Sequence, residues 1–293
     1  MTKLLDTHQH LIYPDVAGYG WTDALAPLAH KAFTLADYAG LTQAADMAGT
    51  IFMETGVDDA DYKAEARFVA GLAKTKGSNI RGLIASCRPE EDAGFSDWLD
   101  ECDDLGVLGF RRILHVMPDP LSTSDIFRNN LRKLGAKGKV FDLCLLSKQL
   151  KIGLELAQAC DTTTFVLNHC GVPDIAGGGL DPWRADMAAI AGLPNVFCKL
   201  SGILAYCAPG AANQAAIQPY VDHVLSVFGP ARMVWGSDWP VVDLANGLPD
   251  WLTMTQALLS ALSPDEAAAI GHRNAARIYG LQARSENGEL VFG

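Results

Sequence analysis

The sequence predicts an α/β protein built as a single (β/α)8 barrel of eight parallel strands, occupying residues 1–293 as one domain. Three observations predict it. Short, nearly continuous apolar segments recur eight times, as strands covered on both faces do. Helical patterns separate them, and alternation of this kind implies parallel strands joined by crossover helices. The 293 residues match the roughly 250 such a barrel needs, with little left over.

The predicted strands are Leu4–Asp6, Thr50–Thr55, Ile80–Ala85, Val107–Arg112, Val140–Leu145, Thr164–His169, Val196–Leu200 and Met233–Ser237. Between the first two, Thr34 caps a helix carrying Leu35, Tyr38, Leu41 and Ala45, with Gly49 as its stop. Asp59 caps the next, which carries Tyr62, Ala66, Val69 and Ala73 and ends at Gly77. Phe95, Trp98, Leu99 and Cys102 mark a third, stopped near Gly106; Leu150, Leu154 and Ala157 mark one before Cys160. Pro182 and Pro219 read as first-turn prolines. After Trp251, Leu258 and Leu262, the run Ser263-Pro264-Asp265-Glu266 is a capping box with proline at the first helical position. Eight units favour a closed barrel over an open doubly wound sheet, and no GxGxxG or GxxxxGK[ST] follows any strand. The long segment Leu11–Phe33 follows the first strand and is expected to lie over the barrel mouth as a lid.

Composition narrows the function. A net charge of −11 disfavours nucleic acid, which needs clustered Lys and Arg, and argues against an anionic membrane surface. No apolar run reaches the roughly 18–20 residues of a membrane span, and Met1-Thr2-Lys3-Leu4-Leu5-Asp6 lacks the apolar stretch of a signal peptide. The seven cysteines are scattered, with no CxxC, and several sit in apolar segments. They read as reduced and mostly buried, which suits the cytoplasm and disfavours a zinc–thiolate site. A homo-oligomer is compatible with the sequence, which carries no signal for or against it.

In a barrel of this kind, chemistry sits where strands end. His8 and His10 end the first strand two positions apart, so both imidazoles face one cavity. They suit either a metal chelate or a paired substrate clamp. Glu54 ends the second strand as a ligand, a substrate contact or a capping acid. Arg111, Arg112 and His115 end the fourth, where a guanidinium would suit a carboxylate or carbonyl oxygen. Asp142, inside an apolar strand, must be paired or face a polar cavity. His169 is delivered to the mouth by Phe165-Val166-Leu167-Asn168, and Lys199 ends the seventh strand as an anion binder or a rim lysine. Asp238 ends the last strand, and strands one and eight are neighbours in a closed barrel. Beside two imidazoles it completes a metal site or takes a proton from an attacking water.

These segments resemble the amidohydrolase superfamily, in its amidohydrolase-2 branch of sugar-lactone hydrolases, pyrone dicarboxylate lactonases and related decarboxylases. The resemblance rests on Asp6-Thr7-His8-Gln9-His10, Phe110-Arg111-Arg112, Asn168-His169-Cys170-Gly171, Lys199-Leu200-Ser201-Gly202, Gly236-Ser237-Asp238-Trp239-Pro240 and Asn274-Ala275-Ala276-Arg277-Ile278-Tyr279-Gly280-Leu281. Tyr19-Gly20-Trp21 with Phe33-Thr34-Leu35 is similar to the early loop of L-fuconolactonases and L-rhamnonolactonases. The resemblance implies hydrolysis of a small sugar lactone. Asp238 would be the base and His169 would orient the carbonyl or ligate an ion, with Arg112 and Lys199 stabilising the oxyanion. Trp21, His115, Asp142 and Trp239 would contact the substrate. One divalent ion, with zinc favoured, would sit among His8, His10, Glu54, His169 and Asp238. The fourth and fifth strands lack the usual lysine or glutamate and histidine of a binuclear pair, so the implied site holds one metal or works without it. The alternative reading is a metal-dependent decarboxylase or hydrolase of an aromatic or pyrone carboxylic acid.

Overall fold

The computed structural model describes residues 1–286 and 289–292. Eight parallel strands follow one another in sequence order around a single sheet: β1 (Leu4–Gln9), β2 (Met47–Met53), β3 (Ile80–Ser86), β4 (Val107–Ile113), β5 (Val140–Cys144), β6 (Thr164–Leu167), β7 (Val196–Leu200) and β8 (Met233–Trp235). The barrel closes between β8 and β1. Asp238 N donates to His8 O at 2.9 Å, and His10 N donates to Trp239 O at 2.8 Å.

Helices α1 (Leu35–Leu41), α2 (Tyr62–Ala73), α3 (Phe95–Asp104), α4 (Asp125–Ala136), α5 (Leu150–Ala159), α6 (Trp183–Ala191), α7 (Gln214–Phe228) and α8 (Leu248–Ser260) alternate with the strands. Thr34 caps α1 as expected, and does so in a capping box with Asp37; the expected capping box at Ser263 with Glu266 also stands. Other local readings are corrected. Gly49 lies inside β2, because that strand starts early to pair with β1 through Leu4 and Met47; α1 ends at Leu41 instead. Asp59 caps nothing; its carboxylate is taken by Arg88, and α2 starts after Asp61. Pro219 stands inside α7, whose start is capped by the Asn213 side chain. Its lost N–H removes one helical bond there.

Alternation along the strands divides the apolar residues into two sets. Outward-facing Phe52, Phe110, Phe141 and Phe165 pack with helix residues such as Leu131, Ala157 and Leu134. Inward-facing Leu5, Ile51, Met53, Ile84, Val166 and Val234 fill the barrel and meet Ala275, Ala276 and Tyr279 from the C-terminal helix (Asn274–Ile278) and the residue after it. This set phases the barrel: Phe110, Phe141 and Phe165 are register partners facing out, so Arg111 and Asp142 face in. A final antiparallel pair, Ala283–Glu286 with Glu289–Phe292, follows the barrel. The seven cysteines are all unpaired, six of them buried. Among the described residues no helix is long and apolar enough to cross a membrane.

Candidate active site

At the C-terminal ends of the strands, three imidazoles converge on one carboxylate oxygen. Asp238 Oδ1 lies 3.5 Å from His8 Nε2, 3.4 Å from His10 Nε2 and 3.9 Å from His169 Nε2. All four residues are buried. The chain ends that carry them are bound together from below. Asp6 accepts from His8 N at 2.9 Å, Ser237 N at 2.8 Å and the Tyr38 hydroxyl at 2.6 Å, which fixes the end of β1 against the end of β8. Asp238 and His169 both adopt left-handed backbone, with φ of 57° and 52°. Such conformations in non-glycine residues are uncommon and persist where the surroundings enforce them. Gly202 is required in the same place: a Cβ there would collide with the His169 ring and the Asp238 carboxylate.

The ring nitrogens have roles set by their partners. His10 Nδ1 lies 3.0 Å from Met53 O, a pure acceptor, so Nδ1 carries the proton and Nε2 offers its lone pair to the cavity. His8 Nε2 lies 3.2 Å from Arg111 Nη1, a pure donor, so it also presents a lone pair. His169 Nδ1 is 2.9 Å from the Ser201 hydroxyl. A hydroxyl donates or accepts, so His169 can present either a lone pair or an N–H at Nε2. Burial holds all three rings neutral: His8 falls well below the usual histidine value, His10 to about 3 and His169 to about 4. Burial also raises the Asp238 carboxyl.

Lone pairs facing a carboxylate at these distances repel unless a proton, a donor or a cation lies among them. The site therefore fits a divalent cation. The ligand atoms of His8, His10 and Asp238 all lie within 4.8 Å of one another, and two neutral imidazoles with one carboxylate are a competent donor set. Arg111 is the standing competitor for the His8 lone pair.

Arg111 is the cation of this site. Its Nε donates to Glu54 Oε1 at 2.5 Å and its Nη2 to Glu54 O at 2.5 Å. Burial alone would lower its pKa; the Glu54 carboxylate more than offsets that and raises it. Glu54, expected as a metal ligand, is thus committed to Arg111, and its Oε2 accepts from Gly56 N at 2.9 Å.

A cavity of about 330 Å³ opens above this floor. His10, Arg111, His115, His169 and Asp238 line it, as do Trp21, Thr55, Cys144 and Tyr206. Trp21 comes from the segment expected as a lid. That segment is pinned at its ends by the Ile12–Phe33 bridge, and the Trp21 indole donates to Thr55 O at 2.8 Å. His115 Nδ1 lies 3.3 Å from the Cys144 thiol.

Four expected residues lie elsewhere. Arg112 faces away from the cavity, as the neighbour of an inward residue on a strand must, and pairs with Glu90 at 2.5 Å. Lys199 and Asp142 bond each other at 2.6 Å inside the barrel, with neither side chain exposed. Trp239 packs its ring against Phe33 and Tyr38. Sequence reasoning passed over Tyr206, Cys144 and Thr55 as cavity residues and gave Arg112 the role that position assigns to Arg111. The outward aromatic at Phe110 was the signal for that choice.

The chain is similar to known proteins in sequence and in fold. Residues 5–281 match the family model described as Amidohydrolase. An L-fucono-1,5-lactonase of Burkholderia multivorans is 28% identical over 300 residues, spanning 94% of this chain and 96% of that one. An L-fucono-1,5-lactonase of Burkholderia ambifaria is 25% identical over 290 residues, spanning 97% and 98%. The crystal structure of an amidohydrolase from Burkholderia multivorans with bound zinc superposes with a TM-score of 0.87 at 26% identity, covering 96% of this chain and all of that one.

Proposed function

The chain belongs to the amidohydrolase family, in its amidohydrolase-2 branch, and from that membership we propose that it opens the ring of a small sugar lactone with water. One observation carries the reading: three neutral imidazoles surround the oxygen of a buried carboxylate at the floor of a cavity, with a guanidinium beside them. Relatives named as L-fucono-1,5-lactonase and L-rhamnono-gamma-lactonase support the substrate class, a 1,5- or 1,4-aldonolactone.

Each group has a task that follows from its protonation state. Asp238 takes a proton from water as the water oxygen attacks the lactone carbonyl. Burial makes this carboxylate a stronger base than a solvated one. The lone pair of His10 accepts from the water and orients it, while that of His8 accepts from Arg111 Nη1. They cannot donate to an oxyanion, so donors must come from elsewhere. Arg111 Nη1 is the permanent donor at the floor, and His169 becomes a second when the Ser201 hydroxyl donates to its Nδ1, which leaves the ring proton on Nε2. Burial and the nearby Asp238 raise the Tyr206 hydroxyl well above its usual pKa, so it remains a donor to substrate oxygens. When the acyl–oxygen bond breaks, the proton held by Asp238 passes to the departing ring oxygen, and the product is the open hydroxy acid. A divalent ion held by His8, His10 and Asp238 would supply Lewis-acid polarisation of the carbonyl; zinc suits that donor set.

Because each turnover releases one acid, a pH-indicator screen of 1,4- and 1,5-lactones tests the proposal directly. Acid release above the spontaneous rate from at least one sugar lactone is expected. Silence across both ring sizes, in enzyme supplied with zinc and in chelated enzyme alike, would overturn it.

A further inference from the structure

The cavity has two unlike halves. Its floor holds the ionisable groups already described. Its walls are apolar: Trp21, Leu25, Ile113, Val116, Val241 and Leu244. Three of these stand out at the surface, with Val116 70% exposed and Trp21 and Leu244 each 37% exposed. They come from three separate short 3-10 turns, Gly20–Thr22 after β1, Leu114–Val116 after β4 and Val241–Leu244 after β8. Single exposed apolar residues are unremarkable, but several converging on one cavity mouth mark a binding surface.

The charges around the cavity exclude an acidic tail. Arg111 has its charge balanced by Glu54 and its Nη1 at the floor, shared between His8 and the carbonyl position, Arg112 is turned away onto Glu90, and Lys199 is sealed on Asp142 and Thr7 O. A substrate carboxylate would find no unpaired cation among the described lining residues. A polyhydroxylated tail fares little better, because the Trp21 indole N–H is already given to Thr55 O and the other wall residues carry no side-chain donor or acceptor. A hydroxyl pressed against that wall loses water without replacement.

We propose that the lactone taken by this site carries a hydrocarbon substituent longer than methyl, a short alkyl chain or an aryl group, which extends from the ring carbon next to the ring oxygen into the Trp21–Val116–Leu244 mouth. The inference rests on the lactone reading above and narrows it. The ring and carbonyl lie over the floor, where His115, Tyr206 and Thr55 meet ring hydroxyls. The substituent displaces water from the apolar walls. Each methylene buried there is worth about fourfold in kcat/KM.

The test is a matched series of lactones that differ only in that substituent: hydroxymethyl, methyl, propyl and phenyl. The enzyme is assayed as isolated and again with added zinc. We expect kcat/KM to rise at least about tenfold from hydroxymethyl to propyl. The doubly substituted Val116→Asp/Leu244→Asp enzyme should lose that preference and bring the propyl-to-hydroxymethyl ratio close to one. Both positions are surface-exposed, and an unchanged melting curve verifies the fold. Acid release with hydroxymethyl preferred would overturn this inference and leave the lactone reading standing. No acid release from any member would overturn both. A concentration-dependent dimer that the two aspartates break, with the substrate ratio unchanged, would assign the mouth to a second copy of the chain and also overturn the inference.

Discussion

Two polar clusters are buried in this barrel, about equally sealed from solvent and opposite in their bonding. In the lower one, Asp142 Oδ1 accepts from Lys199 Nζ at 2.6 Å and Asn168 Nδ2 at 2.7 Å, while Oδ2 accepts from the Tyr279 hydroxyl at 3.1 Å. Lys199 gives a further bond to Thr7 O at 2.8 Å. The charges cancel and both carboxylate oxygens are bonded. In the upper one, three neutral rings face Asp238 Oδ1 at 3.4–3.9 Å with no hydrogen bond among them, and His8 Nδ1 has no partner. Burial without satisfaction is costly, so a fold keeps it where a substrate, water or ion completes the bonding. The lower cluster holds β1, β5, β6 and β7 to the C-terminal segment; the upper cluster is the one to which we assign the proposed chemistry.

The largest effect that could break this division is at Asp238. Asp238→Asn keeps the shape, and asparagine accepts left-handed backbone readily. It removes the base. We expect kcat to fall on the order of 10³- to 10⁴-fold with the melting temperature nearly unchanged. Substantial activity in the folded variant would move the upper cluster into the structural class.

The reciprocal experiment is at Lys199. Lys199→Met leaves Asp142 charged and buried with its cation gone, and should cost about 3–5 kcal/mol in urea unfolding. Replacing both partners, Lys199→Met with Asp142→Leu, should recover most of that loss, because paired burial of charge is itself expensive. Full stability in the single variant together with lost turnover would place Lys199 in the reaction after all.

Much of this was legible in the sequence. The eight strands, their order and the meeting of His8, His10 and Asp238 follow from periodicity and from the closure of a barrel, which makes the first and last strands neighbours. His169 was legible because four apolar residues lead straight to it. What stayed hidden depends on which face of a strand a residue occupies and on contacts across the interior. Arg111 and Arg112 differ by one position and therefore by which side of the sheet they face. Asp142 and Lys199 are 57 residues apart and meet only through the barrel lumen. Tyr206 sits in a short turn, Ile203–Tyr206, that has no periodic pattern to announce it.

A carboxyl beside the upper cluster sharpens the contrast through pH. Burial, with the Glu54 carboxylate adjacent, pushes Glu65 up to about 8 from an ordinary 4.5. It is 3% exposed and accepts from Thr55 N at 3.0 Å. The folded chain keeps this proton where the unfolded chain has lost it. Its stabilising share is therefore full below pH 4.5 and is lost as pH rises through about 8, at about 1.4 kcal/mol per unit and roughly 5 kcal/mol in all. Glu65→Gln retains an acceptor for Thr55 N and should flatten urea stability between about pH 5 and 8. An equally steep decline in the variant would assign the pH dependence to another group.

The smallest effect distinguishes the two adjacent arginines. Arg112 spans to Glu90 with both side chains partly exposed, at 14% and 16%, so solvent screens the pair. Partly exposed ion pairs of this sort contribute about 1 kcal/mol or less. Arg112→Ala should therefore leave kcat/KM within about threefold and lower stability by no more than that amount. Arg111→Met, one residue earlier, strips the floor of its permanent donor and leaves Glu54 buried beside the lone pairs of His8, so a loss of about 100-fold or more in kcat is expected. The ratio between the two variants is the informative quantity, since both remove one positive charge from the same strand and share any general effect on net charge. If Arg112→Ala were the more damaging, the outward phase set by Phe110, Phe141 and Phe165 would not govern the end of β4, and the guanidinium at the floor would have to be reassigned.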